Sequence, residues 1–199
     1  MAVRLTLDEE LTTIVSSGQK PRLLLHCCCA PCASYVLEYL SPFFKISILF
    51  FNPNIHPREE YNKRSAELYK LLTLAGYSTK VDIFLGDYDS DGFNTATVNL
   101  RDEPEGGARC RVCFELRLRE TANRAKEGGF DYFATTLSVS PHKNAELLNE
   151  ICGVLSEEFG IRYLHSDFKK RDGYKRSIEL SKKYGLYRQD YCGCKIRNK

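Results

Sequence analysis

The sequence has no long hydrophobic run, and this absence excludes one class of protein at once. None of its segments approaches the roughly 18 consecutive apolar residues that a membrane-spanning helix needs, so we expect no membrane span. The first residues, MAVRLTLDEELTTIV, carry acidic side chains early and lack the continuous apolar core of a secretory leader. We therefore also expect no signal peptide.

Internal repeats, low-complexity segments and a strong excess of one charge are missing as well. The net charge is +3 over 199 residues, which permits nucleic-acid binding but does not indicate it. A chain of this length is long enough to bury a real core, and it fits one large domain. We predict a single α/β catalytic domain over residues 1–199.

Cysteine, in contrast, is abundant and clustered. Eight of the nine cysteines lie in three short motifs, HCCCAPC (residues 26–32), CRVC (110–113) and CGC (192–194). Without export a disulfide framework is a poor interpretation, and an odd number of cysteines cannot pair fully. Thiolates packed this densely repel one another unless a cation holds them or they oxidise in pairs. The sequence therefore indicates an iron–sulfur cluster, a zinc site or a redox-active dithiol.

Short apolar runs alternate with segments of helical periodicity along the chain. Strands are predicted at 22–26, 45–51, 81–85, 131–137 and 161–165, and helices at 7–18, 33–40, 58–75, 114–129, 143–158 and 174–184. Residues 86–109 are rich in Gly, Asp, Asn and Pro, and we predict a long loop there with little regular structure. This alternation favours one α/β domain with a mostly parallel, doubly wound sheet.

Three motifs directly follow strands and should therefore share one edge of that sheet. They are HCCCAPC, NPNIHP (52–57) and SPHKN (140–144). Ligands of doubly wound sheets bind beyond the carboxyl ends of the strands, near the point where the strand order reverses. CRVC precedes a helix and can face the same edge from the long loop. The cysteines are thus predicted at the place where this architecture has its active sites.

The thiols of HCCCAPC cannot all bind one metal ion, because the side chains of neighbouring residues diverge. We interpret Cys27, which directly follows the strand, as a core residue, and Cys28, Cys29 and Cys32 as the better ligands. Two thiolates from this motif and two from CRVC make the four ligands of a 4Fe-4S cluster, and the same number satisfies structural zinc. The spacing alone does not choose between these metals.

The other two cysteine motifs also leave alternatives open. CRVC opens a predicted helix, whose dipole favours thiolates, and it fits zinc, iron–sulfur or thioredoxin-like exchange. Gly193 lets the backbone bend enough to bring Cys192 and Cys194 together, either as a readily reduced disulfide or as a second metal site. The alternative is a disordered tail with incidental cysteines. Three nearby aromatic residues, Tyr184, Tyr187 and Tyr191, argue against that alternative.

Histidine and basic residues offer weaker signals. His142 and Lys143 in SPHKN could contact a phosphate or donate a proton, and so could His56, although a surface role is the alternative for each histidine. The basic stretch FKKRDGYKR (168–176) could track a nucleic-acid backbone or could be a solvated helix face.

Six long motifs span nearly the whole chain. In order they are LLLHCCCAPC, FFNPNIHPREEY, RCRVCFELRLRETA, TTLSVSPHKN, FKKRDGYKRS and LYRQDYCGC. This set, in this order, closely resembles the motifs of the QueH-type epoxyqueuosine reductases. The family pattern has a noncysteine residue where Cys27 stands, which supports leaving Cys27 out of the ligand set. The resemblance implies a cytoplasmic iron–sulfur enzyme with an adenine-nucleotide-hydrolase-like (Rossmann-like) fold. It also implies the last step of queuosine synthesis on transfer RNA, performed without cobalamin.

ATP use is not expected, although some enzymes of that fold depend on ATP. Such enzymes carry a Gly/Ser-rich phosphate loop after the first strand, and HCCCAPC occupies this place without a glycine. A tRNA-thiolating enzyme of related fold would need the loop, so its absence counts against that alternative. A zinc-binding module without catalysis is the second alternative, and its protein would be colourless.

The resemblance also implies roles for individual residues. We expect a 4Fe-4S cluster on Cys28, Cys29, Cys110 and Cys113. Cys192 and Cys194 are expected to be catalytic, either through a disulfide or by holding a second mononuclear iron together with Cys32.

The expected reaction is a two-electron deoxygenation of an epoxide, which gives a cyclopentene and water. His142 and Tyr191 are the candidate acids. The expected partners are a transfer RNA that carries epoxyqueuosine and an electron donor. Backbone contacts to the transfer RNA are expected from Lys169, Lys170, Lys175 and Arg176.

Overall fold

A parallel five-stranded sheet forms the centre of the computed structural model, which describes residues 5–194. The strands are β1 (Arg22–His26), β2 (Lys45–Phe50), β3 (Asp82–Leu85), β4 (Tyr132–Thr135) and β5 (Arg162–Tyr163). Their order is β3-β2-β1-β4-β5, and every neighbouring pair is parallel. The strand order reverses between β1 and β4, so the predicted doubly wound α/β fold is confirmed.

Seven α-helices connect and cover the strands in this part of the chain. They are α1 (Leu7–Ser16), α2 (Ala30–Leu40), α3 (Arg58–Leu74), α4 (Ser90–Ala96), α5 (Ala108–Glu127), α6 (Ala145–Phe159) and α7 (Gly173–Lys183). Between residues 5 and 194, none of these helices combines the length and the apolar character that a membrane span requires.

The sheet separates two hydrophobic cores. Successive side chains of β1 point to opposite faces, so Leu23 and Leu25 enter one core while Leu24 enters the other. The first core is completed by α1, α2, α3 and α7, and the second by α5 and α6. Because β1 is buried on both faces and paired on both sides, its carboxyl end has a fixed position.

The segment 86–109 is the main point at which the sequence-based expectation is wrong. The expected irregular loop contains helix α4 and a 3-10 turn at Val98–Leu100, and α5 already begins at Ala108. Asp89 caps α4 by accepting a hydrogen bond from the Gly92 N–H at 2.8 Å, and Phe93 is 2% exposed. The cap and the buried ring stabilise a short helix in a sequence whose composition is typical of loops.

Two strands are shorter than the apolar runs that predict them. Strand β4 ends at Thr135, because the Thr135 hydroxyl accepts a hydrogen bond from the Leu137 N–H and starts a 3-10 turn, Thr136–Val139. Strand β5 retains Arg162–Tyr163 at the sheet edge. The remaining predicted elements agree with the structure to within a few residues, the normal margin at helix and strand ends.

His26 joins the carboxyl ends of three strands. It is fully buried, and burial, with a smaller contribution from the nearby Arg117 cation, lowers its pKa to about 3. The neutral ring donates from Nε2 to the Phe51 carbonyl at 3.2 Å, since a carbonyl can only accept. Nδ1 then accepts from the Thr135 hydroxyl at 3.0 Å. These two bonds fix β1 to the ends of β2 and β4.

We expect Thr135→Val to lower the free energy of unfolding by about 1–3 kcal/mol. The substitution keeps the volume of the side chain but leaves His26 Nδ1 and the Leu137 N–H buried without their shared hydroxyl. Urea denaturation measures the loss. Thr73→Val is the matched control, because the Thr73 hydroxyl makes an exposed helical bond, and its effect should stay within about 0.5 kcal/mol. Equal losses in both variants would contradict a special role for the Thr135 hydroxyl.

Candidate metal and redox site

A cavity of about 470 Å³ lies beyond the carboxyl ends of β1 and β4, at the point where the strand order reverses. The turn after β1, the loop after β2 and the SPHKN turn contribute side chains to its wall. A further contributor is the segment of residues 185–194, which we call the C-terminal strap. Lining residues from these four segments include Cys28, Cys32, Asn54, Lys143, Tyr191 and Cys192.

Three thiols of the first motif meet at the wall of this cavity. The Sγ atoms of Cys28, Cys29 and Cys32, which we call the cysteine triad, all lie within 4.8 Å of one another. The Cys28 and Cys29 sulfurs are 3.6 Å apart. Hydrogen bonds from Cys29 and Cys32 lower the pKa of Cys28 well below its ordinary value, and the same bonds raise the pKa of both donors. The triad therefore offers a thiolate and two further sulfurs at one point, and it could hold a metal.

Cys27 lies apart from the triad and belongs to the hydrophobic core. Its side chain is fully buried among the residues beneath α2, and burial raises the pKa of its thiol well above the ordinary value. The backbone of Cys27 is also held, because its N–H donates to the Leu49 carbonyl at 2.9 Å and its carbonyl accepts from Asn52. The expectation that Cys27 points into the core is confirmed.

The two cysteines of CRVC lie in the first two turns of α5, as predicted. Cys113 is 5% exposed, and burial raises the pKa of its thiol. Cys110 is half-buried, and its sulfur accepts a hydrogen bond from the Gly106 N–H at 3.2 Å. Cys113 interacts electrostatically with Cys192 and Cys194. Within residues 5–194, neither CRVC sulfur belongs to the close group that the cysteine triad forms.

The strap brings Cys192 to the wall of the same cavity, with Cys194 hydrogen-bonded to it, and both are free thiols. A hydrogen bond from the Cys194 thiol lowers the pKa of Cys192, and the cations Lys143 and Arg117 lower it further against the effect of burial. The same bond raises the pKa of Cys194. The Lys143 ammonium lies 4.0 Å from the Cys192 sulfur. Cys192 is therefore the thiolate of the pair.

Arg117 is the cation that the three cysteine motifs share. Its side chain is 2% exposed; Nη2 donates to Asn52 Oδ1 at 2.5 Å and Nη1 to the Cys113 sulfur at 3.7 Å. No carboxylate pairs with it in residues 5–194, and its Nε has no hydrogen-bond partner there. Burial lowers its pKa, but the thiols of Cys113, Cys28 and Cys192 outweigh burial and raise it.

A buried guanidinium needs compensating negative charge, because an isolated buried cation is costly. Here the compensation comes from sulfur alone. A sulfur-rich anionic group fits this environment, since it would supply charge to Arg117 and an acceptor to its unpartnered Nε. The donor set of thiols around this cation therefore matches the requirements of a metal–thiolate centre.

Both candidate acids line the cavity. His142 is exposed, and its backbone N–H donates to the Ser140 hydroxyl at 3.3 Å. Tyr191 is half-buried, and its ring faces the Arg64 guanidinium at 5.2 Å. The two residues come from the SPHKN turn and the strap, so they approach the cavity from different segments.

The basic stretch that follows β5 contains two residues that pair within the protein and two that are exposed. Lys169 pairs with Asp167 at 3.1 Å and donates to two backbone carbonyls, and Arg176 pairs with Glu38 and Glu179. Lys170 and Lys175 are exposed. Two of the four predicted nucleic-acid contacts are thus already used within the protein, and the two exposed lysines are the better candidates.

Sequence reasoning missed three buried arginines, Arg64, Arg109 and Arg117, that contact the cysteine motifs. Each lies on a helix among other charged residues. A basic residue in such a segment is normally predicted to be solvent-exposed. For Arg117 a signal was available, because it follows Cys113 by four residues and so lies on the same face of α5. Arg64 and Arg109 bind backbone carbonyls of the strap, and no local sequence pattern indicates these distant contacts.

Comparison with known proteins adds an independent finding. Residues 23–199 match the family model described as epoxyqueuosine reductase QueH. A protein of that name from Streptococcus pyogenes serotype M1 is 45% identical over 177 residues, which cover 88% of this chain and 69% of the relative. One from Staphylococcus epidermidis is 41% identical, covering 96% of this chain and 84% of the relative. One from Thermotoga maritima is 33% identical, covering 86% and 88%.

Proposed function

Because this chain belongs to the epoxyqueuosine reductase QueH family and is therefore an oxidoreductase, we propose that it reduces epoxyqueuosine in transfer RNA to queuosine. One observation within the protein supports this reaction more than any other. Cys28 of the triad, Cys113 and Cys192 converge on Arg117 beside a cavity of about 470 Å³. Sulfur ligands, the thiol pair Cys192 and Cys194, and room for part of a nucleotide thus meet at one place.

The proposed reaction removes one oxygen atom from the substrate. Two electrons and two protons enter, both C–O bonds of the epoxide break, a carbon–carbon double bond forms, and the oxygen leaves as water. An electron donor outside the chain must supply the electrons. His142 and Tyr191 are the proposed proton donors, since both side chains line the cavity.

For the cofactor we propose a 4Fe-4S cluster held by Cys28, Cys29, Cys110 and Cys113. When bound, such a cluster supplies one-electron transfer. The proposal is supported by the short distance between the Cys28 and Cys29 sulfurs, 3.6 Å, and by the buried Arg117 charge that thiols alone compensate. Cys32 is the third member of the triad and is proposed, with Cys192 and Cys194, to hold a second iron.

The cations of the site have a proposed role of their own. Lys143, 4.0 Å from the Cys192 sulfur, and the buried Arg117 both stabilise Cys192 as a thiolate. A thiolate there can bind metal or attack, whereas a protonated thiol can do neither well. The pair Cys192 and Cys194 is proposed to act in turnover, either by cycling through a disulfide or as ligands.

The thiol pair gives the direct test of the function. We expect the double variant Cys192→Ser/Cys194→Ser to lose turnover of transfer RNA that carries epoxyqueuosine by at least about 100-fold, while it retains the brown colour of the cluster. Mass spectrometry of the digested transfer RNA measures the product. Cys152→Ala is the matched control, since Cys152 is buried in the second core away from the cavity. Wild-type turnover in the double variant would contradict a catalytic role for this pair.

The cluster ligands are tested by metal analysis. We expect Cys113→Ala to lose most of the iron, the acid-labile sulfide and the broad visible absorbance of anaerobically purified protein, because a cluster needs its thiolate ligands. Cys27→Ala is the control from inside HCCCAPC, and it should keep its full iron content, since Cys27 faces the core. Full iron and sulfide in Cys113→Ala would remove Cys113 from the ligand set.

The two exposed lysines of the basic stretch test the transfer RNA interface. We expect Lys170→Gln/Lys175→Gln to raise the KM for transfer RNA several-fold at low salt and to reduce the slope of log KM against log salt by about one to two. The control is Lys20→Gln/Lys45→Gln, because those exposed lysines flank the amino ends of β1 and β2, on the opposite edge of the sheet. The same change in both double variants would show that overall charge, and not this surface, sets the affinity.

A further inference from the structure

The strap runs along helix α3 in the opposite direction to the helix. Near its start, the Lys70 ammonium donates to the Gly185 carbonyl at 2.6 Å, and Glu67 accepts from the Tyr187 N–H at 2.8 Å. The Tyr187 hydroxyl then donates to the Glu60 carboxylate at 3.2 Å. Side chains of α3 thus hold the strap over several turns before it reaches the cavity.

Over residues 191–194, the backbone of the strap is held at every residue. Four successive carbonyls accept hydrogen bonds: those of Tyr191 and Cys192 from Arg64, that of Gly193 from the His56 N–H, and that of Cys194 from Arg109. The distances from donor to oxygen are 3.3, 3.0, 2.9 and 2.9 Å in that order. These contacts fix the main chain of the strap, with Cys192 at the cavity and the Cys194 thiol hydrogen-bonded to the Cys192 sulfur.

Arg64 is central to this arrangement because all three of its nitrogens are used. Nε donates to Glu60 at 2.7 Å, Nη1 to the Cys192 carbonyl and Nη2 to the Tyr191 carbonyl. The side chain is 3% exposed and lines the cavity. A planar guanidinium provides this fork of donors, whereas a lysine ammonium is a single point.

Gly193 lies close to the Arg64 guanidinium, and its lack of a side chain makes this closeness possible. It has a φ of +96°, a backbone conformation that disfavours other residues, and a Cβ added there would lie 3.2 Å from Arg64 Nη2 and 3.4 Å from Ile55 Cγ2. A side chain at this position would therefore push against Arg64. The absence of a side chain at Gly193 lets the strap pass close to Arg64, so that the strap carbonyls reach the N–H donors of its guanidinium.

We propose that Arg64 is a positioning residue, which fixes the Cys192 thiol at the cavity by binding the carbonyls of Tyr191 and Cys192. This inference rests on the proposed catalytic role of the thiol pair. Arg64 does not have to touch the substrate to act. A displacement of about 1 Å in a reacting group can cost on the order of 100-fold in rate, so the geometry that Arg64 imposes is expected to appear in kcat.

The test uses Arg64→Lys in the full chain, purified anaerobically with its metal. The lysine keeps a positive charge beside Glu60, but its donors all lie on one nitrogen, so it cannot reproduce the planar fork that spans Glu60 and the two strap carbonyls. We expect the amides of residues 186–194 to exchange with deuterium about tenfold faster or more, while the amides of the sheet keep their protection. Arg58→Gln is the matched control on α3, because exposed Arg58 packs on Tyr88 and not on the strap.

Kinetics separate a positioning role from a merely structural one. We expect Arg64→Lys to lower kcat about tenfold or more and to change the KM for transfer RNA by less than about twofold. A loss of overall structure would instead lower the unfolding midpoint and the activity together. Gly193→Ala provides a second route to the same outcome, because it crowds Arg64 without altering it. Both variants should show the same pattern of fast strap exchange and low kcat.

The outcomes distinguish this inference from the proposed function. Strap exchange at the wild-type rate in both Arg64→Lys and Gly193→Ala overturns the positioning role, even in a fully active enzyme. Fast strap exchange with wild-type kcat also overturns it. Fast exchange in the variants, together with a wild-type protein that leaves epoxyqueuosine unchanged, would count against the proposed reaction and not against the anchoring of the strap.

Discussion

The burial of the Arg117 cation is the constraint on which the site depends. Its guanidinium is enclosed by protein, with one amide oxygen and one sulfur as hydrogen-bond acceptors in the described part of the chain. Such a charge is tolerable only beside negative charge, and here thiols provide it. The cation in turn makes ionised sulfur less costly at Cys28, Cys113 and Cys192. Each side of this balance requires the other, so the arginine and the cysteines can be understood as one electrostatic unit.

The fold brings that unit together from distant parts of the sequence. The central strand β1 ends at the point where the strand order reverses, and the first cysteine motif follows it without any linker. His26 fixes this end to β2 and β4 through two buried hydrogen bonds. Helix α5 then supplies Cys113 and Arg117 from the second face of the sheet, and the strap adds Cys192 from the first. The site is therefore positioned by the sheet and completed by a segment that lies outside it.

Much of the fold could be predicted from the sequence, because the signals involved are local. Apolar runs and helical periodicity identify all five strands and the long helices, and a cysteine motif directly after a strand must lie at the carboxyl edge. Helix α4 was missed because its stability comes from one cap and from the buried Phe93 ring, over which the Arg109 guanidinium of α5 lies. The cysteines of the site could be identified by their density. Arg64 and Arg109 could not, since their partners are backbone carbonyls more than 80 residues away in the chain.

The place of the strap in the chain has a consequence for how the protein is made. All five strands and the two helices that carry cysteines of the site, α2 and α5, precede residue 184, so a ribosome synthesises them before it synthesises the strap. Domains form native-like structure while synthesis continues, from the amino-terminal side onward. A chain in which these elements have folded and the strap has not yet docked would leave the triad at an uncovered cavity. In that order of events, the triad sulfurs are accessible from the cavity before the strap takes its position on α3.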